Sequence, residues 1–212
     1  MFNRDQFIKI DVSKYKAVIL DLDGTLYSLR NLALHLVLAY IPDALLCLNE
    51  HLTRKDMRGC DFGSADSYLD HFFDRMAERT GRENSFLRKW FFDVYMPNMC
   101  GSLKKYYKPR HGALDFIKRL NANSIKLAIY SDYPNVKEKT AAIGIDTDLC
   151  GKFFCPLDFG AQKPALRPFL EIAAALETQC SDILVVGDKA STDGEGAKAA
   201  GMDFHFIDRR YD

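Results

Sequence analysis

The stretch AVILDLDGTLYS, residues 17–28, decides the fold prediction for this chain, because an apolar run leads directly into two aspartates. The β-branched and aliphatic residues 16–20 (KAVIL) are typical of a strand that is covered on both faces. Asp21 and Asp23 follow, one residue apart, and two carboxylates this close repel each other by roughly 4 kcal/mol at an effective dielectric near 20. A simple turn would use Asn, Ser or Gly instead. We therefore expect the pair of acids to serve chemistry at the end of a buried strand.

Strand-like runs and helical patterns alternate through most of the chain. The further runs IKLAIY, DILVV and DFHFI occupy residues 125–130, 182–186 and 203–207. Helical patterns are predicted between and after them, at residues 112–120, 135–143, 168–176 and 195–200. Strands that alternate with helices predict βαβ units, and hence an α/β fold with a parallel sheet.

The middle of the chain has a different, all-helical pattern. One helix face is predicted to carry Tyr68, Leu69, Phe72, Phe73 and Met76, and a second carries Phe86, Leu87, Trp90, Phe91, Val94 and Tyr95. These stripes are expected to pack the helices together, with the lining of a pocket as the alternative. We predict a helical domain at residues 30–103, inserted into a core of residues 1–29 and 104–212. Linkers near residues 28–30 and 101–108 would act as hinges.

Composition excludes several classes of function. The 212 residues contain 29 Lys plus Arg and 29 Asp plus Glu, so neither nucleic acid nor an anionic membrane is the expected partner. The apolar run at residues 32–48 is interrupted by His35, Pro42 and Asp43, which favours a buried helix over a membrane span. The polar N-terminus shows no signal peptide, so a cytoplasmic protein is expected, as monomer or homodimer, with its six cysteines as free thiols.

Polar residues follow each predicted strand at its carboxyl end, where parallel sheets bind their ligands. The residues at these ends, or in the loop that precedes the helix at 168–176, are Asp21, Asp23, Ser131, Lys163, Asp188 and Asp193. Taken singly, a Ser-Asp pair after a strand is typical of a helix cap and a Gly-Asp pair of a turn. Four independent elements that offer acids, a hydroxyl and a lysine to one sheet edge predict a catalytic site.

These motifs resemble those of the haloacid dehalogenase (HAD) superfamily. The resemblance rests on DLDGTL at 21–26, YSDYP at 130–134, QKPALRPF at 162–169 and VVGDKASTDGEGAKAAGM at 185–202. The helical insertion directly after the first motif is similar to a C1 cap, as in phosphatases of the phosphoglycolate phosphatase type. The resemblance implies a Rossmann-like three-layer parallel-sheet core with an inserted all-helical C1 cap. Asp132 departs from the pattern, since many relatives carry Asn there.

The resemblance also implies a role for each motif residue. Asp21 would attack phosphorus and form an aspartyl phosphate, and Asp23 would act as general acid and base. That role requires a raised pKa, which crowding by Asp21 would supply in part. The phosphate would be bound by Ser131, Lys163, Gly24 and Thr25. Mg²⁺ would be held by the Asp21 carboxylate, the main-chain carbonyl of Asp23 and Asp188, with Asp193 as an outer ligand or partner of Lys163.

The predicted function is Mg²⁺-dependent hydrolysis of a small phosphorylated metabolite. The presence of Asp23 favours phosphoryl transfer over dehalogenation, since halide leaves without a proton. A phosphomutase and a non-catalytic binding protein on the same fold stay open as alternatives. The sequence GEGAKA at 194–199 imitates a dinucleotide-binding motif, but the adjacent Asp188 and Asp193 would repel a pyrophosphate. Basic residues that could set specificity are Arg54, Lys55, Arg58, Arg75, Arg79, Arg82, Arg88 and Lys89, although most charges on such helices only face water.

Overall fold

A parallel sheet of five strands forms the centre of the fold. The computed structural model describes residues 5–32, 35 and 43–211. The strands are β1 (Ala17–Asp21), β2 (Lys126–Tyr130), β3 (Lys152–Phe154), β4 (Ile183–Gly187) and β5 (Asp203–Phe206). Their order across the sheet is β3-β2-β1-β4-β5, and every neighbouring pair is parallel. The α/β prediction is confirmed, with the aspartate-bearing strand β1 at the centre.

Strand β1 is buried along its whole length, which explains its apolar sequence. Successive side chains point to opposite faces, so Val18 and Leu20 pack into one apolar layer while Ala17 and Ile19 pack into the other. Strand β3 was not predicted. It has only three residues and lies at the sheet edge, too short for a periodic pattern to be detected.

Helices cover both faces of this sheet. The helices that follow the predicted helical domain in the chain are α5 (Ala113–Ala122), α6 (Val136–Ala142), α7 (Pro156–Phe159), α8 (Leu166–Ala175) and α9 (Glu195–Ala199). The apolar residues of α5 and α6 join the layer that contains Val18. Those of α8 and α9 join the layer that contains Ile19. This three-layer arrangement is the predicted Rossmann-like core.

Within the described residues, four earlier helices form the helical region. They are α1 (Ala44–Asp56), α2 (Ala65–Thr80), α3 (Asn84–Trp90) and α4 (Met96–Tyr106), with a π-helical turn at Phe91–Tyr95 between the last two. The Ser64 hydroxyl caps α2 by accepting from the amide of Ser67, and Gly81, at φ +66°, ends it. The domain limits at 30–103 stay a prediction.

Aromatic rings form the core of this helical region. Phe72 is 1% exposed and contacts the rings of Phe73 and Phe91 edge-on, with centroids 5.0 and 5.4 Å away. The assignment of Phe86 to the same core is wrong, because its side chain is 46% exposed. Phe86 lies in the first turn of α3. The apolar stripe in the sequence extends there beyond the part of the helix that α2 covers.

The predicted buried helix at residues 32–48 is corrected in part. Residues 33–34 and 36–42 lie outside the described residues. Within α1, Leu46 is buried, but Leu45 and Leu48 are 67% and 53% exposed. The run is therefore apolar on more sides than its neighbours cover.

A short backbone ladder joins the helical region to the core, in addition to the two chain connections. The amide of Gly59 donates to the Lys163 carbonyl (3.0 Å), and the amide of Gln162 donates to the Cys60 carbonyl (3.0 Å). Arg167 adds an ion pair with Asp61, at 2.5 Å between Nη2 and Oδ1. The segment after α1 thus lies directly on the loop that carries Lys163, a connection that the sequence did not reveal.

Two further expectations concern cysteines and membranes. All six cysteines are free thiols, as predicted. Among the described helices, none has the length and apolar character that a membrane crossing would require.

Removal of the Phe72 ring should distinguish the core of the helical region from its surface. We expect Phe72→Ala to lower the free energy of unfolding by about 3–5 kcal/mol, because it leaves a cavity among packed rings. The matched control Phe86→Ala removes a half-exposed ring and should change it by about 0.5 kcal/mol or less. Urea unfolding of both variants provides the measurement, and equal effects would contradict the assigned core.

Candidate active site

The predicted site residues meet at the carboxyl edge of the three central strands. Asp21 is the last residue of β1, Ser131 follows β2 and Asp188 follows β4. Because β2, β1 and β4 are adjacent, these three side chains converge. Lys163 reaches the same point from the loop before α8, and Asp193 from the turn before α9. All five side chains are buried.

A lysine between two acids organises the floor of the site. Lys163 Nζ donates to Asp21 Oδ1 (2.8 Å), to Asp193 Oδ1 (2.8 Å) and to the Tyr130 carbonyl (2.7 Å), which uses its three protons. Burial alone would lower the pKa of Lys163, but the charges of Asp193 and Asp21 raise it well above its usual value. Lys163 is therefore a permanent cation. Thr25 completes the surroundings of Asp21 by donating to Oδ2 at 2.8 Å.

The acidic residues around Lys163 form a candidate metal centre. Asp21, Asp188 and Asp193 each offer a carboxylate oxygen, and these oxygens lie within 4.8 Å of one another. Burial raises the pKa of Asp193 to about 7; Lys163 opposes this shift and Asp21 adds to it. Three crowded acids with one lysine leave negative charge to be neutralised. Buried carboxylate oxygens are the ligands that hard divalent cations prefer.

The backbone of the first motif passes close to the Asp188 carboxylate. Gly24 has φ +100°, and a Cβ there would lie 2.2 Å from Asp188 Oδ2. Only glycine fits this turn, for its conformation and for its space. The main chain at Gly24 therefore lies directly against the Asp188 carboxylate, and the three carboxylates of the acidic cluster are a donor set that fits a hard divalent cation.

Arg209 occupies part of this neighbourhood. Its Nε donates to Asp188 Oδ2 from the turn after β5. The guanidinium thereby neutralises one of the three acids, in the position of a competitor for a metal ion. Arg209 could not be predicted from the sequence, because it lies outside every motif and 21 positions from Asp188.

Asp23 accepts hydrogen bonds from three donors. Tyr27 Oη lies 2.5 Å from Oδ1 and Lys139 Nζ lies 2.5 Å from Oδ2, and the hydroxyl of Ser131 also donates to Oδ2. Lys139 Nζ is itself 3.1 Å from Ser131 Oγ. Asp23, Ser131 and Lys139 therefore form one buried network.

The predicted raised pKa of Asp23 is wrong. Burial by itself raises the pKa of this carboxyl, but the charge of Lys139 and the hydrogen bonds from Lys139, Ser131 and Tyr27 outweigh it. The pKa therefore lies below its usual value, and the carboxylate is ionised in this arrangement. Repulsion by Asp21 does not decide the outcome, because Lys163 and Lys139 give each aspartate its own cation.

Lys139 is a site residue that the sequence reasoning missed. It is 0% exposed and lies on α6, behind Ser131. A signal was present, because Val136, Lys139, Thr140 and Ile143 have the spacing of a buried helix face and all four are buried. A lysine on such a face is almost never buried without a partner.

Arg54 is a structural residue of the helical region rather than a substrate contact. Its guanidinium is buried, binds Glu50 Oε1 at 2.5 Å and donates to the Asp132 carbonyl at 2.7 Å. It also stacks over Tyr133, 4.1 Å from the ring centroid. Arg54 thus holds the loop after Ser131 from the side of α1.

The imitation of a dinucleotide motif at 194–199 has a packing explanation. A Cβ at Gly196 would lie 2.1 Å from the ring of Phe169, so this glycine allows α9 to approach α8. Gly194 faces the ring of Phe204 in the same way, at 3.0 Å. Both glycines serve the contact of elements within the core.

A cavity of about 390 Å³ opens above these residues. Asp21, Asp23, Asp132 and Asp188 lie at one end of its lining, and side chains from the helical region lie at the other. The Oδ1 atom of Asp132 is buried and has no hydrogen-bond partner among the described residues. The size is that of a small-molecule site.

Comparison with known proteins gives a consistent family. Residues 15–201 match the family of haloacid dehalogenase-like hydrolases. No curated protein matches the chain. A crystal structure from Haemophilus somnus 129PT, described as a predicted phosphoglycolate phosphatase, is 22% identical with TM-score 0.61; the alignment covers 92% of this chain and 85% of that one.

Two other solved structures have the same fold. A HAD-hydrolase of Bacillus subtilis, bound to magnesium, is 16% identical with TM-score 0.64 and covers 92% of this chain and 89% of its own. The L-2-haloacid dehalogenase of Xanthobacter autotrophicus is 19% identical with TM-score 0.62 and covers 91% and 77%. Phosphatase and dehalogenase are thus equally similar, and fold alone does not distinguish their chemistries.

Removal of the buried lysine should destabilise the metal-free protein in a pH-dependent way. We expect Lys139→Met to cost about 3–5 kcal/mol at neutral pH, since it leaves Asp23 buried without its cation. In the wild type the lowered pKa of Asp23 contributes stability above its unfolded pKa, and that contribution is lost as pH falls. In the variant, burial raises the pKa of Asp23, so stability is lost as pH rises.

The difference in the free energy of unfolding between the wild type and Lys139→Met should therefore become smaller as the pH is lowered from neutral to about 5. Urea unfolding in the presence of a chelator measures it. Lys137→Met, exposed on the same helix, is the matched control and should unfold like the wild type. A loss that is constant over this pH range would contradict the ion pair.

Proposed function

This chain belongs to the haloacid dehalogenase-like hydrolase family, and we propose that it hydrolyses small phosphate monoesters. The observation that carries the proposal is the pair Asp21 and Asp23 at one end of a cavity, each with a separate buried lysine. A phosphate monoester needs a nucleophile, a proton donor and neutralisation of its negative charge. This arrangement offers all three within one enclosed space.

Asp21 has the surroundings of a nucleophile. Lys163 and Thr25 bind its two oxygens and hold the carboxylate at the end of β1. Attack by a carboxylate oxygen on phosphorus forms an aspartyl phosphate and breaks the bond to the ester oxygen. The ester oxygen leaves as an alcohol once it has received a proton. Water then attacks phosphorus, which releases phosphate and restores Asp21.

Asp23 would supply and remove these protons. In the resting network it is ionised, because Ser131 and Lys139 stabilise its charge. A phosphate that binds to Ser131 would divert that hydroxyl and bring negative charge near Asp23. Both changes raise the pKa of the carboxyl towards the value that a general acid needs. The same group would act as base when water attacks.

Mg²⁺ is the proposed cofactor. The residues that would hold it are the Asp21 carboxylate, the main-chain carbonyl of Asp23 and Asp188, with Asp193 outside them. Bound there, the ion would neutralise charge on the phosphoryl oxygens. Oxygen ligands from a few carboxylates suit Mg²⁺, which retains several waters. The glycine at position 24 supports this assignment, since it allows the main chain of the first motif to approach the Asp188 carboxylate.

The presence of Asp23 favours hydrolysis of a phosphate ester over dehalogenation. A halide ion leaves without a proton, so a second acid at this position has no task in that reaction. Here the acid is held by three donors, of which Ser131 is also a predicted phosphate-binding residue. No observation in the described residues favours a phosphomutase over a hydrolase.

Loss of the nucleophile should abolish the reaction without loss of the fold. We expect Asp21→Asn to lower Mg²⁺-dependent phosphate release from 4-nitrophenyl phosphate by about 10⁴-fold or more, because an amide cannot attack phosphorus. Asp115→Asn, which changes an exposed aspartate of α5, is the control and should retain wild-type activity. Activity of Asp21→Asn within tenfold of the wild type would remove Asp21 from this role.

Removal of the competing guanidinium should strengthen metal binding. We expect Arg209→Met to tighten Mg²⁺ binding about tenfold, because Asp188 regains its full charge. Arg210→Met is the matched control, since Arg210 pairs with Asp208 instead, and it should bind as the wild type does. Titration calorimetry measures both constants. An unchanged affinity of Arg209→Met for Mg²⁺ would show that Asp188 does not belong to the metal site.

A further inference from the structure

The two ends of the active-site cavity differ in chemistry. The end at the sheet carries acids, and the opposite end is apolar. The apolar lining comes from the segment after β1 and from α1 and α4, and it consists of Leu29, Leu32, Ala44, Cys47, Leu48 and Met99. Tyr95 and His51 are the polar residues on that side. Tyr95 directs its hydroxyl away from bulk solvent to Glu50 Oε2, at 3.3 Å.

None of the basic residues that the sequence nominated lines this cavity. Most have acidic partners elsewhere: Arg54 pairs with Glu50, Arg75 and Arg79 with Asp56, Arg88 with Asp70, and Lys89 with Asp93. Lys55, Arg58 and Arg82 are exposed, and they are absent from the cavity lining. The helical region therefore directs no Lys or Arg among its described residues at the substrate.

The chain segment that lies between two lining residues adds no charge either. Leu32 and Ala44 both border the cavity. Residues 33–34 and 36–42, which lie outside the described residues, read AL and LVLAYIP in the sequence. No acidic or basic residue is present in them. Any contribution from this segment would leave the apolar character unchanged.

The acidic end would oppose a second negative group on the substrate. Asp21, Asp23, Asp132, Asp188 and Asp193 all belong to the lining, and Lys189 is its one described lysine. Burial raises the pKa of Asp132, and the charges of Lys163 and Lys189 act against this rise. Lys163 and Lys139 lie beneath the lining with their protons committed to aspartates.

From this distribution we propose that the substrate's organic group is apolar and uncharged, as in an aryl, benzyl or short alkyl phosphate. The inference rests on the proposed phosphatase function and specifies its substrate class. A carboxylate on the organic group would lie against an apolar surface to which the helical region contributes no Lys or Arg among its described residues, at a large cost in binding. Phosphorylated hydroxy acids and nucleotides are disfavoured by the same argument.

A matched pair of esters tests the substrate class. Benzyl phosphate and 4-carboxybenzyl phosphate break the same kind of bond and differ in one remote carboxylate. We expect kcat/KM for benzyl phosphate to exceed that for the carboxylated ester by about 100-fold or more, with Mg²⁺ present. Equal values, or a preference for the carboxylated ester, would overturn the proposal.

A new cation in the lining should change this ratio. Leu48 is half-exposed at the cavity, so Leu48→Arg adds a charge at little cost to the fold. We expect the ratio of kcat/KM for benzyl phosphate to kcat/KM for 4-carboxybenzyl phosphate to fall about tenfold. Leu45→Arg is the matched control: it lies on the same helix, is 67% exposed and is absent from the lining, so the ratio should not move. An unchanged ratio in Leu48→Arg, or an equal shift in Leu45→Arg, would overturn the assignment.

A reference substrate separates failure of this inference from failure of the proposed function. Phosphate release from 4-nitrophenyl phosphate, together with equal kcat/KM values for the two benzyl esters, would leave the phosphatase in place and overturn the substrate class. Absence of Mg²⁺-dependent release from all three esters would overturn the phosphatase function and the inference with it.

Discussion

The structure depends on how ionised acids are accommodated at the buried end of β1. Two aspartates this close would oppose folding if they shared one environment. They do not, because Lys163 binds Asp21 and Asp193 while Lys139 binds Asp23. The lysines come from different loops and helices, and each is buried only because its acid is there. The contacts that stabilise the buried lysines in the fold are therefore the same contacts that position the acids of the site.

The same arrangement links the helical region to the chemistry. The Gly59 amide donates to the Lys163 carbonyl and the Cys60 carbonyl accepts from the Gln162 amide, while Arg54 donates to the Asp132 carbonyl next to Ser131. A movement of the helical region about its two linkers would disturb both contacts. The predicted hinge movement would therefore also involve the loops that carry Lys163 and Ser131, in addition to the two linkers.

Charge and apolar surface divide the work of the cavity. Negative charge concentrates at the sheet edge, where a cation and a phosphoryl group would meet it. The helical region contributes apolar side chains, since its arginines and lysines pair with its own acids or face water. Reactivity and selectivity are thus assigned to different parts of the chain.

By itself, the sequence determined the parallel sheet, the helical insertion as a pattern, and the convergence of Asp21, Ser131, Lys163 and Asp188. Strand periodicity and position at strand ends are local properties, and parallel topology brings such ends together. Only the tertiary structure decided the pKa of Asp23, the competition of Arg209 for Asp188 and the apolar lining above them. Each depends on partners far away in the chain, such as Lys139 for Asp23. The field at a buried charge is set by what packs around it in space, which no local pattern encodes.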